Sequence, residues 1–182
     1  MAKAIGMLEY MTVSTGMEAT DLMLKTAEVD LIEAQTVCPG KYIALISGEL
    51  SAVKAAIDAS KTRYEAKLID TFVLGNPHED IFPAIYGTAT VEKPAALGIL
   101  ETYSAASIIV AADMAAKTSS VQLIELRIAK GMCGKSYMTL TGEVAAVTAA
   151  IERAKEEVKP KGTFLDSSVI ARPSEKVWKS IV

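Results

Sequence analysis

The chain repeats itself. Ile5-Gly6-Met7-Leu8-Glu9 returns as Leu97-Gly98-Ile99-Leu100-Glu101, and Asp21 to Glu33 (DLMLKTAEVDLIE) returns at the same offset as Asp113 to Glu125 (DMAAKTSSVQLIE). The register then slips by two residues: Gly40-Lys41 matches Gly134-Lys135, and GELSAVKAAI from Gly48 matches GEVAAVTAAI from Gly142. A further slip of two aligns Asp70 with Asp166, and Asn76-Pro77 with Arg172-Pro173. Colinear matches through nearly all of each half, with length changes confined to the gaps between elements, mean one unit built twice. The 182 residues therefore form two domains of roughly 90 residues each, a size that can fold alone around a modest core. The joint falls in TATVEKP, Thr88 to Pro94, a polar stretch with a proline turn signal, which sets the domains at 1–90 and 91–182.

Both halves give one pattern. An alternating strand over about 4–11 leads into a helix from about Gly16 to Ala27, followed by a strand from Val29 to Thr36. The turn CPGK precedes a strand from Tyr42 to Ser47, which Gly48 ends. A helix from about Ser51 to Lys67 places Ala52, Val53, Ala56, Ile57 and Ser60 on one face at helical spacing. A strand from Leu68 to Leu74 closes the unit, with a short helical turn near Ile81. The order β-α-β-β-α-β predicts an α/β chain of the α+β kind, made of two ferredoxin-like domains, each an antiparallel sheet with helices on one face. A duplicated domain of this kind can assemble pseudo-symmetrically, so that an odd cyclic ring of chains becomes a ring of twice as many domains.

Composition narrows the function. Apolar residues make up 51% of the chain and aromatics 5%, so alanine and aliphatic side chains do the packing, and helix and sheet approach closely. Nineteen basic against 22 acidic residues, for a net charge of −3, provide no basic patch for nucleic acid. No apolar run approaches the roughly 20 residues of a membrane span, and the first residues lack the pattern of a signal peptide; the expectation is a soluble cytosolic protein with no membrane partner. Two cysteines, Cys38 and Cys133, are too few for a disulfide framework. Nucleophile elbow, P-loop, dinucleotide fingerprint and HExxH patterns do not occur, and an enzyme is not expected.

The ordered motifs carry a resemblance. Gly6-Met7-Leu8-Glu9, Asp21 with Lys25 and Val29, Gly40-Lys41, Gly48-Glu49 with Ala52-Val53, and Asn76-Pro77 resemble the bacterial microcompartment (BMC) shell domain, and the second half repeats the set, ending in Ile170-Ala171-Arg172-Pro173. Single motifs are weak; the ordered set, twice over, covers nearly the whole chain. The tandem arrangement, the VCPGKY turn and the ARPSEKVW segment are similar to shell proteins of propanediol-utilisation compartments. The resemblance implies a homotrimer with a pseudohexameric outline, tiling into a compartment shell in the cytoplasm with other shell proteins and facing encapsulated redox enzymes. It also implies a pore loop at Pro39, Gly40 and Lys41, with Met132, Cys133, Gly134 and Lys135 as its second-half counterpart. Lys25, Asn76, Lys117 and Arg172 fall at tile-edge positions.

In the tandem type the pore cysteine is thought to hold an iron–sulfur cluster, which here implies Cys38 as the metal ligand of one [4Fe–4S] cluster per trimer. One cysteine cannot bind such a cluster, which normally has four thiolates; three copies of Cys38 on a threefold axis would leave one iron for an outside ligand. Pro39 stiffens the chain after the ligand, and Gly40 is expected to let backbone approach closely. Taken without the resemblance, Cys38 reads as a small buried hydrophobe. Two alternatives stay open: a metal-free pore in which Lys41 and Lys135 favour anionic metabolites, and a small-molecule-binding regulator on the same scaffold.

Cys133 lies in a loop two residues longer and has no assigned role. Glu9 and Glu101 read as structural. His78 reads as a surface residue, Met7, Met11, Met17 and Met23 as adaptable packing, and Trp178 as a packing anchor.

Overall fold

The computed structural model describes residues 4–91 and 93–181. The first repeat runs β1 (Ala4–Tyr10), α1 (Val13–Thr26), β2 (Asp30–Val37), β3 (Lys41–Gly48), α2 (Leu50–Arg63), a 3₁₀ turn (Glu65–Lys67), β4 (Leu68–Gly75) and a short α3 (Ile81–Tyr86). The second runs β5 (Ala96–Thr102), α4 (Ala105–Thr118), β6 (Val121–Arg127), β7 (Ser136–Gly142), α5 (Val144–Val158), a 3₁₀ turn (Lys159–Lys161), β8 (Phe164–Ile170) and α6 (Glu175–Ile181). Each repeat contributes one four-stranded sheet, in the orders β2-β3-β1-β4 and β6-β7-β5-β8. Every pairing is antiparallel, so the ferredoxin-like order expected from the sequence is present twice.

The chain divides into two compact units. The first contains the chain through Pro77 together with Ser104–Ala106 and Ala129–Gly134; the second contains His78–Tyr103, Ser107–Ile128 and the chain from Lys135. The segment after the first terminal strand, α3 included, thus packs with the second unit, and α3 lies against β6 there.

Within the first unit the core lies between the sheet and α1 and α2: Leu8, Tyr10, Ala44 and Ile46 from the strands meet Ala19, Met23, Val53, Ala56 and Ile57 from the helices. Burying a Leu, Ile or Val side chain of this kind contributes about 2 kcal/mol. The Gly-x-Leu-Glu motif has a steric cause. A Cβ on Gly6 would lie 2.8 Å from both Val53 and Ile57, and on Gly98 2.7 Å from Leu140 and 2.8 Å from Val147. Only a bare backbone lets the helix sit so close to the central strand, as the alanine-rich composition anticipates. Tyr10 closes the core. Its hydroxyl donates to the Ser60 carbonyl at 3.0 Å, Ser60 Oγ donates to the Ala19 carbonyl at 3.0 Å, and burial pushes the phenol up to about 12.

Two helices depart from their expected limits. α1 starts at Val13 rather than Gly16, and Gly16 is instead a contact point whose Cβ would fall 2.4 Å from the Tyr42 ring. α2 ends at Arg63 rather than Lys67, because Tyr64 leaves helical backbone at ψ 28° and the chain tightens into a 3₁₀ turn.

The β1–β4 register breaks between Glu9 and Tyr10, and the β5–β8 register breaks between Glu101 and Thr102. Such bulges re-aim side chains at strand ends. Here they fall beside the two in-strand carboxylates.

Candidate functional site

The site is the turn between β2 and β3, which carries Cys38. Val37 and Lys41 form the last rung of that hairpin, and Gly40 N–H closes the turn on the Val37 carbonyl at 2.9 Å. Cys38 is half-buried and joined to Pro39 by a cis peptide bond; Pro39 and Gly40 are exposed. The Cys38 N–H donates to the Ala129 carbonyl at 3.3 Å. The second-half loop lies alongside: a Cβ on Gly134 would lie 3.1 Å from Pro39 Cδ and 3.2 Å from the Cys38 carbonyl oxygen. The close approach expected of Gly40 therefore belongs to Gly134. Gly40 has open space around it, and its φ of +100° is what calls for glycine.

The loop is anchored from below by charge. Lys41 Nζ pairs with Glu9 Oε1 at 2.9 Å, and Glu9 is wholly buried. The other oxygen, Oε2, accepts the Ala105 N–H at 2.9 Å. Asp70, paired across the sheet with Glu9, accepts the Ser104 hydroxyl. One carboxylate thus holds the loop lysine and the first N–H of α4, where the helix dipole favours negative charge. Glu33 accepts the ammonium of Lys130, from the second-half loop, at 2.7 Å, and also accepts from Gln35. The structural role expected of Glu9 acquires a specific form. Its partners Ser104 and Ala105 are distant in sequence; the signal available was a carboxylate between apolar neighbours, kept in both repeats.

The other expected residues lie as follows. Cys133 is exposed at a left-handed φ of +50°, Met132 is half-buried, and Lys135 is exposed with no ion-pair partner among the described residues. Lys25 pairs with Asp21 at 2.6 Å and Lys117 with Asp113 at 2.7 Å. Asn76 is exposed at φ +52°, a left-handed backbone that asparagine tolerates better than most residues. Its counterpart Arg172 is exposed and is not among the positive-φ residues, so the two repeats differ in backbone as well as side chain there. Arg172 borders a groove with Trp178, Pro94 and Val144. His78 is half-buried; its N–H donates to Asp113 at 2.8 Å and its Nδ1 accepts the Asp80 N–H at 3.3 Å. Among the described residues no three His, Cys, Asp or Glu side chains of one chain gather as a metal site, and no helix is long and apolar enough to cross a membrane.

The BMC domain model matches residues 4–77 and again 96–173. The bacterial microcompartment shell protein PduT of Citrobacter freundii is 42% identical over 182 residues, covering 100% of this chain and 99% of that protein. The shell protein EutK of Salmonella typhimurium is 33% identical over 96 residues, 52% of this chain and 58% of its own length. Among solved structures, a microcompartment protein from Desulfitobacterium hafniense DCB superposes with a TM-score of 0.86 at 44% identity, covering 97% of this chain and 98% of that one. The fused permuted hexameric shell protein of the RMM microcompartment superposes at 0.66 with 21% identity, over 86% of this chain and 81% of that one, and shows the fold alone. With its two ferredoxin-like repeats each matching one copy of the domain, the chain belongs to the BMC family as a tandem-domain microcompartment shell protein.

Proposed function

We propose that three copies of the chain close into a pseudo-sixfold ring that tiles into the shell beside other shell proteins, and that the ring axis gathers three Cys38 thiolates around one [4Fe–4S] cluster. The observation that carries this reading is the presentation of Cys38. Its thiol sits on a turn whose backbone is held by Ala129, by the Val37–Gly40 bond and by the close pass of Gly134. One soft donor per chain, on a fixed backbone, fits a ligand set shared between chains; a single chain supplies too few thiolates. When bound, the cluster would supply one-electron transfer, tuned by hydrogen bonds to its sulfurs and by solvent access. The protein's part is to hold the thiolates and leave one position for an outside ligand. Encapsulated redox enzymes would be its electron partners, and the tile itself would have no catalytic role.

A metal-free pore is the second reading, favoured by one observation: the exposed Lys135 has no ion-pair partner among the described residues, while Lys41 is held by Glu9. Only Lys135 would then face a passing anion.

Anaerobic purification separates the two. Visible absorption, iron and sulfide analysis and EPR of the parent should give about four irons and four sulfides per three chains. Cys38→Ser should abolish all three signals and leave the ring intact. No cluster in either protein after anaerobic reconstitution would leave the metal-free pore.

A further inference from the structure

The first unit contains a filled socket, and the second repeat contains the same socket open. In the filled one, Glu9 takes Lys41 on one oxygen and the Ala105 N–H on the other, and Asp70 takes the Ser104 hydroxyl while its Oδ1 accepts the Thr71 N–H at 2.8 Å. The plug is the start of α4. The repeat equates Glu9, Lys41 and Asp70 with Glu101, Lys135 and Asp166, and the plug residues Ser104 and Ala105 with Thr12 and Val13 at the start of α1.

The open socket is built alike. Glu101 pairs across the sheet with Asp166, as Glu9 does with Asp70, and the same bulge follows it. Asp166 Oδ1 accepts the Ser167 N–H at 2.8 Å, matching Thr71 on Asp70. Among the described residues the Glu101 carboxylate, Asp166 Oδ2 and the Lys135 ammonium have no partner. Glu101 borders an open groove of about 750 Å³ with Leu97, Ile99, Tyr137 and Thr139. Their first-repeat counterparts Ile5, Met7, Ile43 and Leu45 are fully buried. The matching plug has its backbone donor open: the Val13 N–H has no partner among the described residues, while the Thr12 hydroxyl makes no bond to the helix backbone and donates instead to Thr15 Oγ1 at 2.9 Å.

We infer that the start of α1 of a second copy of this chain seats on Glu101 and Asp166, the Val13 N–H donating to the Glu101 carboxylate and the Thr12 hydroxyl exchanging Thr15 for Asp166 as its acceptor. This rests on the ring proposed above and names the contact that closes it. The charges are complementary: two carboxylates face the positive end of a helix that has no acidic residue in its first turn. The contact is heterologous, plug on one copy and socket on the next, so it generates a ring when the rotation closes.

Two variants test it without touching the fold. Val13→Pro removes one N–H at the first helical position, where proline is well tolerated, and Thr12 before it is already extended at φ −133°, ψ 146°. Glu101→Gln removes the charge at constant size. Sedimentation and native mass spectrometry across a dilution series, with circular dichroism for helix content, should show each variant folded and its trimer dissociating at about tenfold higher concentration than the parent. The double variant should be no weaker than the weaker single, because both remove one interaction. Midpoints equal to the parent's, or effects that add in full, would overturn the contact while leaving a ring. A parent that is monomeric at every concentration would overturn the ring itself.

Discussion

The two repeats carry one ion pair on the same helix in different surroundings. Asp21 and Lys25 on α1 stand in solvent, at 62% and 73% side-chain exposure; Asp113 on α4 is 2% exposed and also accepts the His78 N–H. The neighbouring apolar positions follow suit. Met17 is 55% and Leu24 41% exposed, whereas their counterparts Ile109 and Ala116 are buried. The motif was copied and its environment was not. A charge pair in water is worth a few tenths of a kcal/mol, whereas a buried carboxylate without its partners is costly.

The comparison can be broken most severely at the in-strand carboxylates. Glu9→Ala should destabilise the chain by about 3–5 kcal/mol in chemical denaturation, since it strands Lys41 and the Ala105 N–H. Glu101→Ala, read on dilute unassembled chain, should cost less than about 0.5 kcal/mol. Equal losses would mean the two sockets are not in different states.

Tyrosine gives a pH handle of intermediate size. Tyr10, whose counterpart is Thr102, titrates at about 12 when folded against an unfolded value near 10. Its neutral form is therefore favoured by the fold. Its stabilisation is full below pH 10 and lost as pH rises to 12, by about 2–3 kcal/mol. A series of unfolding curves between pH 9 and 12 should show that decline, and Tyr10→Phe should make it shallower. Tyr137, also pushed up to about 12 by burial and by its bond to Glu125, adds a second contribution in the same window.

The smallest expected contrast is between the aspartates themselves. Asp113→Ala should lower stability by about 2 kcal/mol, through the unpaired His78 N–H and Lys117. Asp21→Ala should stay within about 0.5 kcal/mol. Matching thermal shifts would show that the buried pair contributes no more than the exposed one.

Much of this was legible from residues alone, because its causes are local. The glycine of the first strand and the alanine-valine pair of the second helix are two sides of one steric fit, Gly6 against Val53 and Gly98 against Val147, and each leaves a mark in its own segment. The order of elements along the chain followed from the periodicities and the repeat register. What the sequence did not disclose were the contacts that cross between repeats. The bond from Ala105 to Glu9 spans 96 positions, and a backbone N–H has no side chain to announce it. The close pass of Gly134 over Cys38 was hidden for the same reason, and was assigned instead to Gly40, whose requirement is conformational. Asn76 is similar: the repeat sets it opposite Arg172 without a reason for the difference, and its left-handed backbone supplies one.

The filled socket has a consequence for how a ring would be built. Glu9 and the Ala105 N–H are tethered by one polypeptide, so their meeting does not depend on how many chains the cell makes, whereas any contact at Glu101 obeys mass action. A gene that fuses two domains end to end would make half the seams of such a ring permanent. Closure of the ring would then be governed by the remaining seams, whose occupancy rises and falls with the concentration of the chain.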